Sequence, residues 1–477
     1  MALKKQVLTG VKWIAIANIF RQILSLVSIV IFAKLLSVED FGIFSILMIF
    51  NSFLIIFSDM GTTAALVHTQ KPSKLLLSSV FYFNLITGLF LSLLLIFFAN
   101  SISLFFEIPK LELLLQLISL NFIFISFMLV QKALLEKNMD FKSISTAESL
   151  SVLIGLILGL VAAYKDMGVY SLIIQTLSTS ILGTIMLWYY SPWKPAWMFS
   201  IDEIKKIWKY TANLSAFEII NHFSTQADSF LIGKYLSASA LGIYSIAYKI
   251  MLYPLQNISR VLMRVLFPAF SKLQNDDEKF RTIYKHAIFY ISLIAFPIMI
   301  GLMSTAEVLV DILFGNKWEG LALLLIILAP SGMIRSIYTT TGAIYKAKGN
   351  TDLQLKIGTV FTIVTITGFL IGLSYGVNGV AISYVITNII MIYPVFKISW
   401  GQIGLSVKEG VETIAPILFI SLLMGVGIYL LDFLLFQTIQ NQIARLMLMI
   451  ASGISLYAVM IHFQYGSIKV LFSRLRS

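Results

Sequence analysis

The sequence predicts an all-α polytopic membrane protein with about fourteen transmembrane helices, arranged as two pseudo-symmetric six-helix lobes with two further helices appended at the C-terminal end. Three observations carry this. Hydrophobic residues make up 58% of the 477 residues and charged residues only 12%, with a mean hydropathy of +0.90, too little charge for a water-soluble chain of this length. The apolar residues fall in runs of roughly 20, the length a helix needs to cross a bilayer. A phrase in the first tenth of the chain also returns 200 residues later.

The runs place spans near residues 10–34, 41–67, 76–99, 111–134, 143–164, 168–190, 211–234, 240–267, 283–306, 320–345, 353–374, 377–397, 411–432 and 440–463. Turn-forming stretches such as "HTQKPSK", "FEIPKLE", "YYSPWKPAW" and "KAKGNTD" separate them. The first run is too long for a signal-peptide core and has no small-x-small cleavage site, so it is expected to stay as an anchor. With the N-terminus in the cytoplasm and sides alternating, most of the 35 lysines and arginines, among them Lys4, Lys5, Lys71, Lys74, Lys137, Lys142, Lys205, Lys206 and Lys209, fall on the cytoplasmic side. Lys34, Lys110, Lys165, Lys234, Lys317 and Arg445 fall outside. That bias predicts both termini in the cytoplasm. It also makes the net charge of +12 a matter of topology, so the charge gives no reason to expect nucleic acid as a partner. There is no cysteine, hence no disulfide or thiolate metal site.

The repeat pairs "IFAKLLSVEDFGIFSI" (31–46) with "LIGKYLSASALGIYSI" (231–246). Ser37 and Ser237 are placed to cap the helix that follows, with Glu39 and Asp40 near its positive end in the first copy. Gly42 and Gly242 suit a close helix approach. The same offset aligns Asn18, Arg21, Gln22, Ser25 and Ser28 with Glu218, Asn221, His222, Thr225 and Asp228. Steps of three and four put each set on one helix face, and a polar stripe in a membrane helix must face protein or water. Helices repeated in the same orientation mean a parallel repeat, of the kind whose halves rock around a substrate held between them. Residues 1–200 and 201–400 are thus expected as the two lobes, and 401–477 as the appended helices and tail.

Three cations remain inside spans. Arg21 lies ~14 Å along the first helix from Lys12, Lys249 ~14 Å along the eighth, and Arg335 ~22 Å along the tenth. An ionisable residue at such depth is a functional candidate by default. One use is a cluster gripping a phosphate, for which arginine offers a two-pronged fork. The other is an ion pair with Glu218, Asp228 or Asp59. Glu218 and Asp228 are in turn candidates for a coupling-ion carboxylate, and His222 shares their stripe. Asp59 falls near a helix end, as a gate or end residue. His68, His286 and His462 form no metal constellation, and no metal site is expected. Gly155-x-x-x-Gly159 marks close helix packing.

"AKLLSVEDFGIFSI", "SDMGTTAALVHTQ" and "YKAKGN" together resemble the Wzx-like polysaccharide-repeat flippases of the multidrug/oligosaccharidyl-lipid/polysaccharide exporter superfamily, in the branch serving colanic-acid-type and teichuronic-acid-type polymers. The resemblance covers most of the chain. The second copy of the phrase departs from it, since "LSASALG" lacks the acidic pair. The resemblance implies a monomeric, two-lobed transporter in the bacterial cytoplasmic membrane that carries undecaprenyl-pyrophosphate-linked sugar repeats to the outer leaflet. It implies exchange for H⁺ or Na⁺, no other cofactor, and polysaccharide polymerase machinery as a possible partner. It also implies a cationic cavity, which Arg21, Lys249 and Arg335 would supply, with Asn18 and Gln22 beside Arg21. A multidrug/cation antiporter or a lipid II flippase of the same superfamily are the alternatives. A membrane polymerase, ligase or glycosyltransferase is disfavoured: no loop is long enough for a catalytic domain, and the chain has neither an Asp-x-Asp pair nor a glycine-rich phosphate loop.

Overall fold

A computed structural model of the chain describes residues 2–466, with side chains outside the description at residues 2–11, 209–221, 223–224, 254–257, 260–261, 264–265 and 267–269. The described residues form helices α1 (Ala2–Leu35), α2 (Val38–Asp59), α3 (Thr62–His68), α4 (Lys74–Phe106), α5 (Lys110–Lys137), α6 (Phe141–Tyr164), α7 (Tyr170–Tyr190), α8 (Ile201–Tyr235), α9 (Ala238–Lys272), α10 (Asp277–Leu313), α11 (Leu321–Lys348), α12 (Thr351–Leu373), α13 (Gly376–Gly401), α14 (Val407–Leu434) and α15 (Gln442–Tyr465). Among the described residues, twelve stretches are long and apolar enough to cross a membrane. The other two expected spans, 211–234 and 240–267, fall on α8 and α9, which include residues outside the description.

The expected second span is broken. Met60 (φ 42°) and Gly61 (φ 73°) take the left-handed conformation and end α2, and α3 restarts beyond them. Asp59 makes the break tolerable within an apolar stretch. Its carboxylate accepts the Thr63 N–H at 2.9 Å and the Thr62 hydroxyl at 3.1 Å, covering donors the new helix leaves open.

Packing divides the chain into two compact units, Met1–Gly242 and Ile243–Ser477. In the first, α4 packs on α5, α6 on α7, and α5 on α7. In the second the equivalent helices pair the same way: α10 on α11, α12 on α13, and α11 on α13. The sequence repeat is therefore also a repeat of packing. The contact division follows which helices touch, whereas the repeat follows sequence offset, so the two partitions differ around α8, which packs on α2, α3 and α4.

Helices in lipid gain little from burying apolar surface, so close packing and hydrogen bonds hold them. The chain is built accordingly. Ser78, Ser79, Ser119, Ser126, Asn121 and Gln131 are buried, while Phe97, Leu93, Ile363 and Phe463 are exposed. The Asn121 amide donates to Asn51 at 3.0 Å across α5 and α2, and Ser92 donates to Ser119 across α4 and α5. Gly155 and Gly159 let α6 approach α7: a Cβ at Gly155 would sit 2.2 Å from the Thr179 hydroxyl.

The repeated turn has a direct physical role. Ser37 caps α2 in a reciprocal box, accepting from the Asp40 N–H at 3.1 Å while Asp40 accepts from the Ser37 N–H. Ser237 accepts from the Ala240 N–H at 3.0 Å, capping α9. The two turns then pack on each other. A Cβ on Gly42 would lie 1.6 Å from the Ala238 carbonyl oxygen, and one on Gly242 would lie 2.2 Å from that of Val38. Each copy thus needs its own glycine so that the other copy's backbone can enter. The acidic pair unique to the first copy makes a separate link. Asp40 also accepts from the Val169 N–H at 3.1 Å, tying the α1–α2 turn to the α6–α7 turn.

Gly42→Ala and Gly242→Ala are each expected to destabilise the protein by about 1–3 kcal/mol, because the obstacle is backbone that cannot rotate away. Gly358→Ala on α12, where no atom lies within 4 Å of the added Cβ, is expected to be neutral or stabilising by up to ~1 kcal/mol. Thermal unfolding of the three variants in detergent checks this; equal behaviour of all three would show that the glycine seam carries no such constraint.

Candidate anion-binding site

The intramembrane cations predicted from sequence take different environments. Arg21, on α1, meets Glu148 on α6. Lys132 on α5 donates to the other oxygen of the same carboxylate at 2.8 Å, and Arg21 Nη2 donates to Asn18 Oδ1 at 2.6 Å. The three charged side chains are 25–31% exposed. Glu136, one turn beyond Lys132, lies within electrostatic reach of Lys132, Glu148 and Asp59. The Arg21 charge is therefore met by a carboxylate, and the partner is Glu148 rather than Asp59 or Asp228. Gln22 is half-buried, and Ser28, lower on the stripe, is buried and accepts from Gln175 at 3.3 Å.

Arg335, on α11, is placed otherwise. Its Nη1 donates to the Tyr248 hydroxyl on α9 at 2.6 Å and to the Tyr384 hydroxyl on α13. The two hydroxyl oxygens are 3.4 Å apart. The Tyr384 ring is buried, packs on Phe369 with centroids 5.7 Å apart, and has the guanidinium over it at 5.9 Å. Tyr244 stacks on Tyr248 at 5.8 Å. Among the described residues no carboxylate lies within ion-pair distance of Arg335, and only Nη1 of its nitrogens has a hydrogen-bond acceptor. The cation is solvated by phenol dipoles and ring faces, which stabilise its charge without neutralising it. Lys249 follows Tyr248 on α9 and is exposed.

Among the coupling candidates, Asp228 is buried on α8 and accepts from the Ser229 N–H at 2.7 Å. The His222 ring packs on Phe53 at 5.6 Å. The Glu218 side chain lies outside the described residues. Asp59 is the last residue of α2 and caps α3, as described above. Sequence reasoning missed Glu148 as a partner of Arg21 and missed Tyr248 and Tyr384 altogether. The Lys132–Glu136 pair at i, i+4 was a visible signal for the first cluster. The tyrosines carry no sequence signal, because aromatic residues are 13% of the chain and many are buried in the helix packing.

With this geometry in place, the chain can be set beside known proteins, first by its fold. The lipid II flippase MurJ in its inward closed conformation superposes with a TM-score of 0.78 at 22% identity, covering 94% of this chain and 98% of that one. An inward-facing multidrug resistance MATE family transporter of the MOP superfamily superposes with a TM-score of 0.64 at 18% identity, covering 80% and 94%. The chain shares the helical fold of these two structures. Residues 31–323 match the polysaccharide biosynthesis protein family, and the chain belongs to that family. Among its relatives, the lipopolysaccharide biosynthesis protein WzxC of Escherichia coli (strain K12) is 27% identical over 437 residues, 89% of each chain. The teichuronic acid biosynthesis protein TuaB of Bacillus subtilis (strain 168) is 25% identical over 397 residues, 78% of this chain and 82% of that one.

Glu148→Gln is expected to destabilise the protein by about 1–3 kcal/mol, since it leaves two partly buried cations sharing one neutral amide. The exchange Arg21→Glu with Glu148→Arg, which keeps the pair, is expected to recover at least half of that loss. Thermal unfolding in detergent reads both, and a charge exchange no better than the single variant would contradict the pairing.

Proposed function

We propose that the protein is a flippase that moves an undecaprenyl-pyrophosphate-linked oligosaccharide repeat from the inner to the outer leaflet of the bacterial cytoplasmic membrane by alternating access. The observation that carries this is Arg335: a guanidinium at membrane depth with neutral partners and free donors suits a cargo that brings its own negative charge. A pyrophosphate supplies that charge in the fork geometry arginine matches. The family and the relatives' names support a lipid-linked glycan as the cargo, because WzxC and TuaB are named for polysaccharide biosynthesis, and a further relative is named a probable glycan biosynthesis flippase in Haloferax volcanii. Organic cations, the cargo of an antiporter, would be repelled by the same residue.

Within this reading Lys249 is a second cation for the cargo. Arg21, with Asn18 and Gln22, braces the first unit through Glu148. The α8 groups Glu218, Asp228 and His222 are the candidates for coupling to H⁺ or Na⁺; the buried Asp228 motivates this. The protein works as a monomer with both termini in the cytoplasm, and it is not an enzyme. It delivers its cargo to polymerase machinery on the far side.

The test is reconstitution into vesicles with a pyrophosphate-linked oligosaccharide. Arg335→Gln is expected to slow flipping by about tenfold or more, and the Arg21/Glu148 charge exchange to flip within about threefold of wild type. An imposed Na⁺ or proton gradient is expected to stimulate wild type but not Asp228→Asn. Wild-type vesicles that extrude organic cations and move no lipid-linked sugar would overturn the assignment.

A further inference from the structure

The donors around Arg335 are unevenly used. Nη1 serves two acceptors, while Nη2 and Nε have none among the described residues. The Tyr384 oxygen, which accepts from Nη1, still carries its own proton. For Tyr384 the nearest described acceptor for that proton is the Tyr248 oxygen at 3.4 Å, long for a hydroxyl bond. On α11 and α13, therefore, the Nη2 and Nε donors of Arg335 and the Tyr384 O–H accompany a positive charge, and no described carboxylate lies within ion-pair distance of it. In a medium of low polarity an arrangement of donors alone is costly until an acceptor arrives. The rings are fixed independently of the hydroxyls: Tyr384 by Phe369 and Tyr248 by Tyr244. The donors are thus held in place before any ligand binds.

We propose that Tyr384 and Tyr248 complete the anion site. Tyr384 O–H is a direct donor to a phosphate oxygen bound by Nη2 of Arg335, on the edge of the fork that Nη1 shares. Tyr248 is a positioning residue that holds Nη1, so that Nη2 faces the ligand. The site takes a phosphate ester or pyrophosphate, and it rests on the function proposed above only for the identity of the lipid that carries the group.

The experiment uses the purified full-length protein in detergent with inorganic pyrophosphate as the probe, read by calorimetric affinity and by the melting temperature with and without ligand. Wild type is expected to bind and to melt higher with ligand, as a ligand of the folded state requires. Tyr384→Phe and Tyr248→Phe are each expected to weaken binding about tenfold, the loss of one charge-assisted bond, and to lower the unliganded melting temperature because each removes an acceptor of the guanidinium, so affinity is read well below unfolding. Arg335→Gln is expected to abolish binding. Tyr248→Phe added to Arg335→Gln should then change nothing further; a merely structural role would add its own effect. If both tyrosine variants bind like wild type while Arg335→Gln does not, the tyrosine roles are overturned and the flippase reading stands. If Arg335→Gln binds like wild type, the site itself is overturned and the function loses its main support. Equal stabilisation by phosphatidylglycerol nanodiscs would assign the site to bilayer headgroups and overturn pyrophosphate as its ligand. Binding that follows the expected order in a protein that fails to flip lipid-linked sugar would uphold the site and sink the flippase reading instead.

Discussion

A charge placed in hydrocarbon must be satisfied by something, and the way each intramembrane arginine is satisfied separates the two units of this protein. Solvation by water is lost at that depth, at a cost of several kcal/mol. Arg21 recovers it from a carboxylate, with a second cation sharing the same acceptor. Arg335 recovers it from two phenols and an aromatic face. The first solution pairs the charge directly with a carboxylate and adds a link between α1, α5 and α6. The second gives the guanidinium only neutral partners and leaves two of its nitrogens without an acceptor among the described residues, which is what the proposed anionic cargo would use.

The backbone supports this division of labour. In lipid, polar side chains and small residues hold helices together, and the same pairs of helices recur in each unit. The tyrosines that hold Arg335 lie on α9 and α13, so the site depends on three helices keeping their register. The N-terminal turn of α9 is fixed by the Gly42 and Gly242 contact with the equivalent turn of α2. A chain that needs two helices to start side by side, each pressed against the other's carbonyl, writes the same capped, glycine-bearing turn twice. One difference between the copies also has a physical reason: Asp40 has a backbone partner at Val169, whereas Ala240 has no polar side chain to reach one.

Much of the architecture was legible in the sequence. Hydropathy located the helices because a bilayer forces every span to be long and apolar. The caps at Ser37 and Ser237, and the close approaches at Gly42, Gly242, Gly155 and Gly159, followed from local chemistry. The break at Met60–Gly61 did not, because a methionine in the left-handed region leaves no trace in composition. The candidate site was legible by half. The depth of Arg21, Lys249 and Arg335 came from counting residues along helices. The partners of the two arginines did not, because Glu148 and Tyr384 reach them from helices whose facing direction is set by packing. Two arginines that look alike in sequence therefore differ in their partners for a reason that only the tertiary contacts supply.

The central claim is that the charge of the cargo's headgroup is what Arg335 grips. The most direct measurement compares, in the same vesicles, lipid-linked sugars that share one glycan but carry a pyrophosphate, a monophosphate or a neutral ether at the junction. Transport is predicted to fall in that order, with the neutral lipid slower than the pyrophosphate by about a hundredfold, the product of two charge-assisted interactions of roughly tenfold each. A neutral-headed lipid carried as fast as the pyrophosphate would contradict the claim, and would leave Arg335 without the role proposed for it.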